Sequence, residues 1–260
     1  MIIRVLHLTD THFSAGRATV HPPVSFADAI TALTGRTPDA AAGLVAAHVR
    51  RSGTPDLVLH TGDIVDAAMP EAYAAARAML EALGAPFLIT AGNHDDVSVA
   101  SQAGLETRAL GLTDLGKWRI VVVCSARPGQ SHGTLGPETL EALDRALAGD
   151  RPTLIGMHHP PMSTCADPEC NVSDAAAFFE VIDRHPNVVA VATGHLHQAG
   201  ELRRGSVRYL LGPSTCLQLV HTHPLTKNNK TATPLGARRI ELADDGTLST
   251  ELLWLPANAR

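Results

Sequence analysis

The chain has 260 residues, 45% of them hydrophobic, with a formal net charge of -5. That length suffices for a large core in one α/β domain, expected here to span residues 1–260. The negative balance argues against polymeric nucleic acid as a partner, because such modules carry a basic face.

The N-terminal MIIRVLHLTDTH soon returns to polar residues, so neither a signal peptide nor a membrane span is expected and a cytoplasmic protein is the reading. Ile2 to Thr9 predicts a strand, short and rich in β-branched residues, whose end delivers Asp10, Thr11 and His12. The Pro- and Gly-punctuated stretch from Ser14 to Pro38 predicts no element. Pro38 opens a helix to Arg51, since a first-turn proline loses no hydrogen bond, and Gly53 ends it. Asp56 to His60 predicts the second strand and runs into Thr61, Gly62 and Asp63. The next helix starts at Pro70, places Tyr73, Ala76, Met79, Leu80 and Leu83 on one face, and stops at Gly84. A third strand, Pro86 to Thr90, reaches GNHD, Gly92 to Asp95. This succession implies parallel strands joined by crossover helices, and in such sheets ligands bind outside the carboxyl ends of the strands.

Glu106 to Leu112 and Lys117 to Ser125 predict two strands around a turn at Asp114 to Gly116. Gly136 and Pro137 open a helix to Leu147, and the strand Pro152 to Met157 ends at His158, His159, Pro160 and Pro161. Four cysteines are too few for a disulfide scaffold, so free thiols in a reducing compartment are expected, with a Cys165–Cys170 pair as the alternative. A helix from Asp174 to Arg184 leads to the strand Val188 to Thr193, which ends in Gly194, His195, Leu196 and His197. Two hairpins follow, Glu201–Arg204 with Val207–Leu211 and Arg238–Leu242 with Leu248–Trp254. The strands of residues 200–256 are expected to complete a second sheet packed on the first.

Strand after strand therefore ends in metal-ligand types: Asp10 and His12, Asp63, Asn93, His158, and His195 with His197. Mixed nitrogen and oxygen donors suit Mn, Fe, Zn or Co rather than Mg or Ca. The lack of thiolate argues against a closed structural zinc site. Any one histidine is more often core or surface than ligand, but the joint placement at strand ends points to one site that holds two divalent metal ions. His60 reads as a core or strand-end histidine with a supporting role as the alternative. His7, His21, His48, His132 and His185 read as structural. His221 and His223 share one strand face and are candidates to line a substrate pocket. GPST, Gly212 to Thr215, reads as a plain turn.

In the order DTH, GDIVD, GNHD, HHPP, GHLH, from Asp10 to His197, the chain resembles the calcineurin-like metallophosphoesterases, and in particular their class III cyclic-nucleotide phosphodiesterase branch. The resemblance implies an α/β fold, a four-layer α/β/β/α sandwich with two mixed sheets. It implies one metal held by Asp10, His12 and His197, a second held by Asn93, His158 and His195, and Asp63 bridging the two. His158 rather than His159 matches the family's ligand position, and Asp66 matches GDxxD as a structural partner. Two cations about 3.5–4 Å apart acidify a shared water and clamp the phosphoryl oxygens during in-line displacement. His94 follows a ligand and is assigned no metal, which makes it the candidate acid for the leaving alkoxide. Asp95 is expected to orient its imidazole, and His159 is a candidate to contact a phosphoryl oxygen.

The function implied is hydrolysis of a small phosphodiester, foremost a 3',5'-cyclic nucleotide such as cAMP. Glycerophosphodiesterase and broad phosphodiesterase or phosphomonoesterase activities are the alternatives. A non-catalytic scaffold of this fold would have lost ligands, and every expected ligand is present here. A metallo-β-lactamase-like site would need HxHxDH, which the chain lacks. The resemblance also implies a homodimer or higher homo-oligomer.

Overall fold

The computed structural model describes residues 1–15, 25–163, 165, 167–220, 229–231 and 234–256; His21, His221 and His223 lie outside them. The first half runs β1 (Ile2–Leu8), α1 (Phe26–Thr34), α2 (Pro38–Arg50), β2 (Leu57–His60), α3 (Pro70–Ala82), β3 (Phe87–Ile89) and α4 (Val97–Gln102). The second runs β4 (Leu110–Leu115), β5 (Trp118–Val123), α5 (Pro137–Leu147), β6 (Thr153–Met157), α6 (Ala175–Asp183), β7 (Val188–Thr193), β8 (Gly200–Arg204) and β9 (Val207–Leu211). A short pair, β10 (Gln218–Val220) and β11 (Asn229–Thr231), precedes β12 (Gly236–Ala243) and β13 (Leu248–Trp254).

Helix α1 falls where the sequence predicted no element. Its start is fixed by a capping box, in which Ser25 accepts from the Asp28 amide and Asp28 accepts from that of Ser25. Thr37 caps α2 more simply, its hydroxyl accepting from the Ala40 amide, with Pro38 in the first turn.

Strand alternation sets the layers. In β1, Ile3 and Val5 point to one face and Leu6 and Leu8 to the other, and all four are buried, so both faces of the strand must be covered. Ile3 and Val5 join Leu57, Leu59, Trp118, Ile120, Val122 and Leu154 in a core between two sheets. Leu6, Leu8 and Val58 pack with Val45, Tyr73 and Leu80 of the helices on the outer side. On the far side Val121, Val123, Ile155 and Val191 pack against Leu143 of α5 and Phe178 of α6. The result is a helix–sheet–sheet–helix sandwich.

Both sheets are mixed. The first has the order β13-β12-β1-β2-β3, and the second β4-β5-β6-β7-β9-β8. β1, β2 and β3 are parallel, as are β5, β6, β7 and β9. Leu8 stands level with His60, and His60 with Ile89, so three strands release their loops at one edge. Met157 and Thr193 do the same in the second sheet.

Two expectations are corrected. The C-terminal hairpins do not both complete the second sheet: β8 and β9 do, whereas β12 and β13 extend the first sheet along β1. Nothing local in a hairpin's sequence states which open edge it will meet. The turn between β4 and β5 is also later than predicted. Leu115 pairs with Trp118, so the turn is Gly116–Lys117 with Gly116 at φ 54°, a left-handed conformation that glycine adopts without steric cost.

Trp118 is fully buried in the inter-sheet core, and its Nε1–H donates to the Ala243 carbonyl at 2.7 Å, linking the sheets. Trp118→Ala is expected to cost about 3–5 kcal/mol in urea unfolding. A loss below about 1 kcal/mol would contradict a core shared by both sheets.

Candidate metal centre

The loops after β1 and β2 stay side by side instead of diverging. The amides of Asp10, His12 and Phe13 donate to the carbonyls of Gly62, Asp63 and Ile64 at 3.0, 3.0 and 2.9 Å. His158, at the end of β6, donates from Nδ1 to the Thr61 carbonyl at 2.7 Å and so ties the second sheet to the first. Asp10, His12, Asp63, His195 and His197 all have positive φ, between 47° and 68°; Ala15 is the other non-glycine residue with positive φ among those described. Left-handed backbone costs about 1–2 kcal/mol for an L-residue, and such strain collects where function fixes the geometry. These turns fold each of the five side chains back over its strand end. The neighbouring glycines are needed for room: a Cβ on Gly92 would lie 2.2 Å from Asp63 Oδ1, and one on Gly194 would lie 1.9 Å from Thr9 Oγ1.

Five strand ends thus meet in one buried cluster. The donor atoms of Asp10, His12, Asp63 and His197 lie within 4.8 Å of one another. His197 Nε2 is 3.0 Å from His12 Nε2 and 3.4 Å from Asp10 Oδ1. His197 donates from Nδ1 to the Leu217 carbonyl, which leaves its Nε2 a lone pair. His12 Nδ1 and Asp66 Oδ1 are both buried without a hydrogen-bond partner and stand 3.9 Å apart. With its Nδ1–H facing that carboxylate, His12 also presents an Nε2 lone pair. Two such nitrogens 3.0 Å apart repel each other unless a cation lies between them, and imidazoles bound to one ion at about 2.0–2.1 Å have this spacing.

On the other side of Asp63, His158 Nε2 is 3.4 Å from Asp63 Oδ2 and 3.1 Å from Asn93 Oδ1. His195 stands beside it, with donor atoms of His158 and His195 within 4.8 Å. Its Nε2 donates to the Glu169 carbonyl, and its amide donates to both Asp10 oxygens at 3.1 Å. Asp63 therefore stands between two donor sets that fit two cations.

The electrostatics agree. Burial would raise the Asp63 carboxyl, but the His158 and His94 imidazoles outweigh it and hold the group well below the usual carboxylate range. For His158 burial pulls downward, yet the Asp63 carboxylate prevails and lifts it to about 9. A positive charge is thus favoured between the two. Burial keeps His12 neutral and lowers His195 to about 4, so both offer lone pairs.

Two expectations about surrounding residues change. The Asp95 carboxylate spends its hydrogen bonds away from the His94 ring: it accepts from the amides of Gly92, Ile64 and Val65 and from the Tyr73 hydroxyl. It clamps the GNHD loop to the GDIV loop, and burial with the nearby Asp63 raises it to about 6. His94 is oriented by Asp66 instead, donating from Nδ1 to the Asp66 carbonyl at 2.9 Å, while its amide donates to Asp63 Oδ1. His159 has no nitrogen left for a phosphoryl oxygen, because Nδ1 pairs with the Ser125 hydroxyl and Nε2 donates to the Ser131 carbonyl.

Other residues brace the cluster. His7 pairs with the Thr61 hydroxyl and His60 with that of Thr11, and burial lowers them to about 3 and 4. GPST is more than a turn, since the Ser214 hydroxyl donates to the Asp10 carbonyl at 2.8 Å. Cys165 and Cys170 form a disulfide, contrary to the expected free thiols, because the 3-10 turn Pro168–Cys170 brings their Cα atoms to 6.2 Å. That pair packs on Leu196, between His195 and His197. Phe26 escaped the sequence reading: its ring lies 4.9 Å from His12 and 5.5 Å from His197, walling one side. Ser25 with Asp28, three residues on, was the signal that could have placed it on a helix start.

The comparisons with known proteins point the same way. A family model described as calcineurin-like phosphoesterase matches residues 3–199. The 3',5'-cyclic adenosine monophosphate phosphodiesterase CpdA of Pseudomonas aeruginosa is 33% identical over 201 residues, 75% of this chain and 73% of its own. The glycerophosphodiester phosphodiesterase GpdQ of Enterobacter lignolyticus is 29% identical over 85% of this chain and 80% of its own. Among solved structures, a dimetal phosphatase from Danio rerio matches with a TM-score of 0.66 at 14% identity, covering 98% of this chain and 99% of that one. That last likeness bears on the fold alone. No helix among the described residues is long and apolar enough to cross a membrane. With the family model covering most of its length and the donor clusters in place, the chain belongs to the calcineurin-like phosphoesterase family and is a metal-dependent phosphoesterase.

Proposed function

We propose that this phosphoesterase is a phosphodiesterase that opens a 3',5'-cyclic nucleotide, cAMP foremost, to the nucleoside monophosphate. The observation that carries the reading is the placement of one carboxylate, Asp63, 3.7 Å from His12 and 3.4 Å from His158, between two donor sets. In this reading Asp10, His12 and His197 hold one divalent ion, Asn93, His158 and His195 hold the other, and Asp63 serves both. Mn, Fe and Zn all suit these donors. Bound there, two ions would supply an acidified water and a positive clamp on the phosphoryl oxygens.

The chain supplies the proton. A ribose alkoxide is a poor leaving group, and it needs a donor as the P–O bond breaks. His94 is 31% exposed, and its Nδ1 is fixed on the Asp66 carbonyl, which leaves Nε2 without a partner among the described residues. Burial pulls this imidazole down, but the Asp63 carboxylate and the contacts with Asp66 outweigh it and raise it above its ordinary value. It is thus suited to hand a proton to the leaving oxygen. The likeness to a cAMP phosphodiesterase supports the choice of substrate. A glycerophosphodiester is the second reading, supported by the likeness to GpdQ.

A panel of cAMP, cGMP, glycerophosphocholine and AMP, assayed with added Mn and again after chelation, separates these readings. Metal-dependent turnover of the cyclic nucleotides is expected to lead, with none after chelation. Turnover of AMP with no diester cleaved would contradict the proposal, and preference for glycerophosphocholine would favour the second reading.

His94→Gln is expected to lower kcat for cAMP by about a hundred- to ten-thousand-fold. It should cost a p-nitrophenyl diester far less, since p-nitrophenolate leaves without a proton. Bound metal should be unchanged. Equal losses on both substrates would remove His94 as the acid.

A further inference from the structure

A cavity of about 340 Å³ opens beside the metal centre, between the loop that enters α4 and the loop that follows β5. Its size falls within the roughly 300–1,000 Å³ of small-molecule sites. Asn93 belongs to both places, lining the cavity while its Oδ1 stands 3.1 Å from His158 Nε2. A larger cavity of about 440 Å³ lies along the β3 and β4 edges and is lined by none of the metal-centre residues. Size alone therefore does not select the first cavity; its continuity with the donor cluster does.

The lining is mixed in a way that suits a flat, polar-edged ring on a sugar. Val97 is 47% exposed, one of the few large apolar side chains left in water. Arg127 lines the same cavity, and its guanidinium donates to the Leu135 carbonyl and, at 3.2 Å, to that of Ala126, so the planar group is held in place. A guanidinium stacks on aromatic faces as well as carrying charge. Asp96 uses Oδ1 to cap the amides of Ser98 and Val99, and its second oxygen is open to an amino or hydroxyl donor. Ser98 and Ala126 also line the cavity.

We propose that this cavity receives the nucleoside side of the substrate, base and ribose, while the phosphate rests at the adjoining donor cluster. The inference rests on the phosphodiesterase reading for the place of the phosphate, but not for whether the ring is opened. Ser98 is exposed and is neither one of the metal-holding residues nor the proton donor, so Ser98→Trp narrows the cavity while every donor side chain keeps its identity. Calorimetry on the Mn-loaded full chain, with AMP and with methyl phosphate, reads the result.

The wild type is expected to bind both ligands. Ser98→Trp should weaken AMP by about tenfold or more and leave methyl phosphate within roughly twofold. Ala126→Leu, from the opposite wall, should repeat the pattern and serves if the tryptophan variant does not fold. Equal weakening of both ligands, unchanged AMP affinity in either folded variant, or no AMP binding by the wild type would each overturn the assignment. Failure of cAMP turnover with this binding pattern intact would strike the proposed reaction alone.

Discussion

A single buried carboxylate governs this molecule's design. Asp63 is 2% exposed, deep between two sheets, and a lone charge in such a place would be costly. The chain offsets that cost by surrounding it with imidazoles from both sheets, His12 on one side and His158 on the other. Pairing of this kind is sound only when the geometry is tight. The fold supplies the tightness: parallel strands end level with each other, and their loops bond to one another before reaching solvent.

The strained backbone belongs to the same design. Five donors sit at positive φ, and glycines such as Gly92 and Gly194 open the space they turn into. A site assembled this way is set by the backbone, so its side chains do not need to search for their places. The braces behind it, His7, His60, Ser214 and Asp95, make no claim on the metal positions. They hold threonine hydroxyls, a carbonyl and loop amides. This is why a cluster rich in titratable groups can be both buried and ordered.

Much of this was legible in the sequence, because the informative signals are local. An apolar run followed by Asp, His or Asn marks a strand end, and it placed Asp10, His12, Asp63, Asn93, His158, His195 and His197 where the structure brings them together. What stayed hidden depends on long-range encounters. Asp95 follows His94 in the chain, yet its carboxylate turns to amides some thirty residues away, and adjacency suggested the wrong partner. His159 resembles a free imidazole until Ser125 and Ser131 are seen to occupy it. The last hairpin reads the same whichever sheet it joins, and only the open edge of β1 decides. The Cys165–Cys170 pair needed the 3-10 turn Pro168–Cys170, which cysteine spacing alone does not announce.

Counting bound metal tests the central claim, that Asp63 joins two cation sites into one centre, most directly. Wild-type protein equilibrated with Mn and freed of excess by gel filtration is expected to retain two ions per chain, and folded Asp63→Ala at most one. Two ions retained by the folded variant would contradict the account.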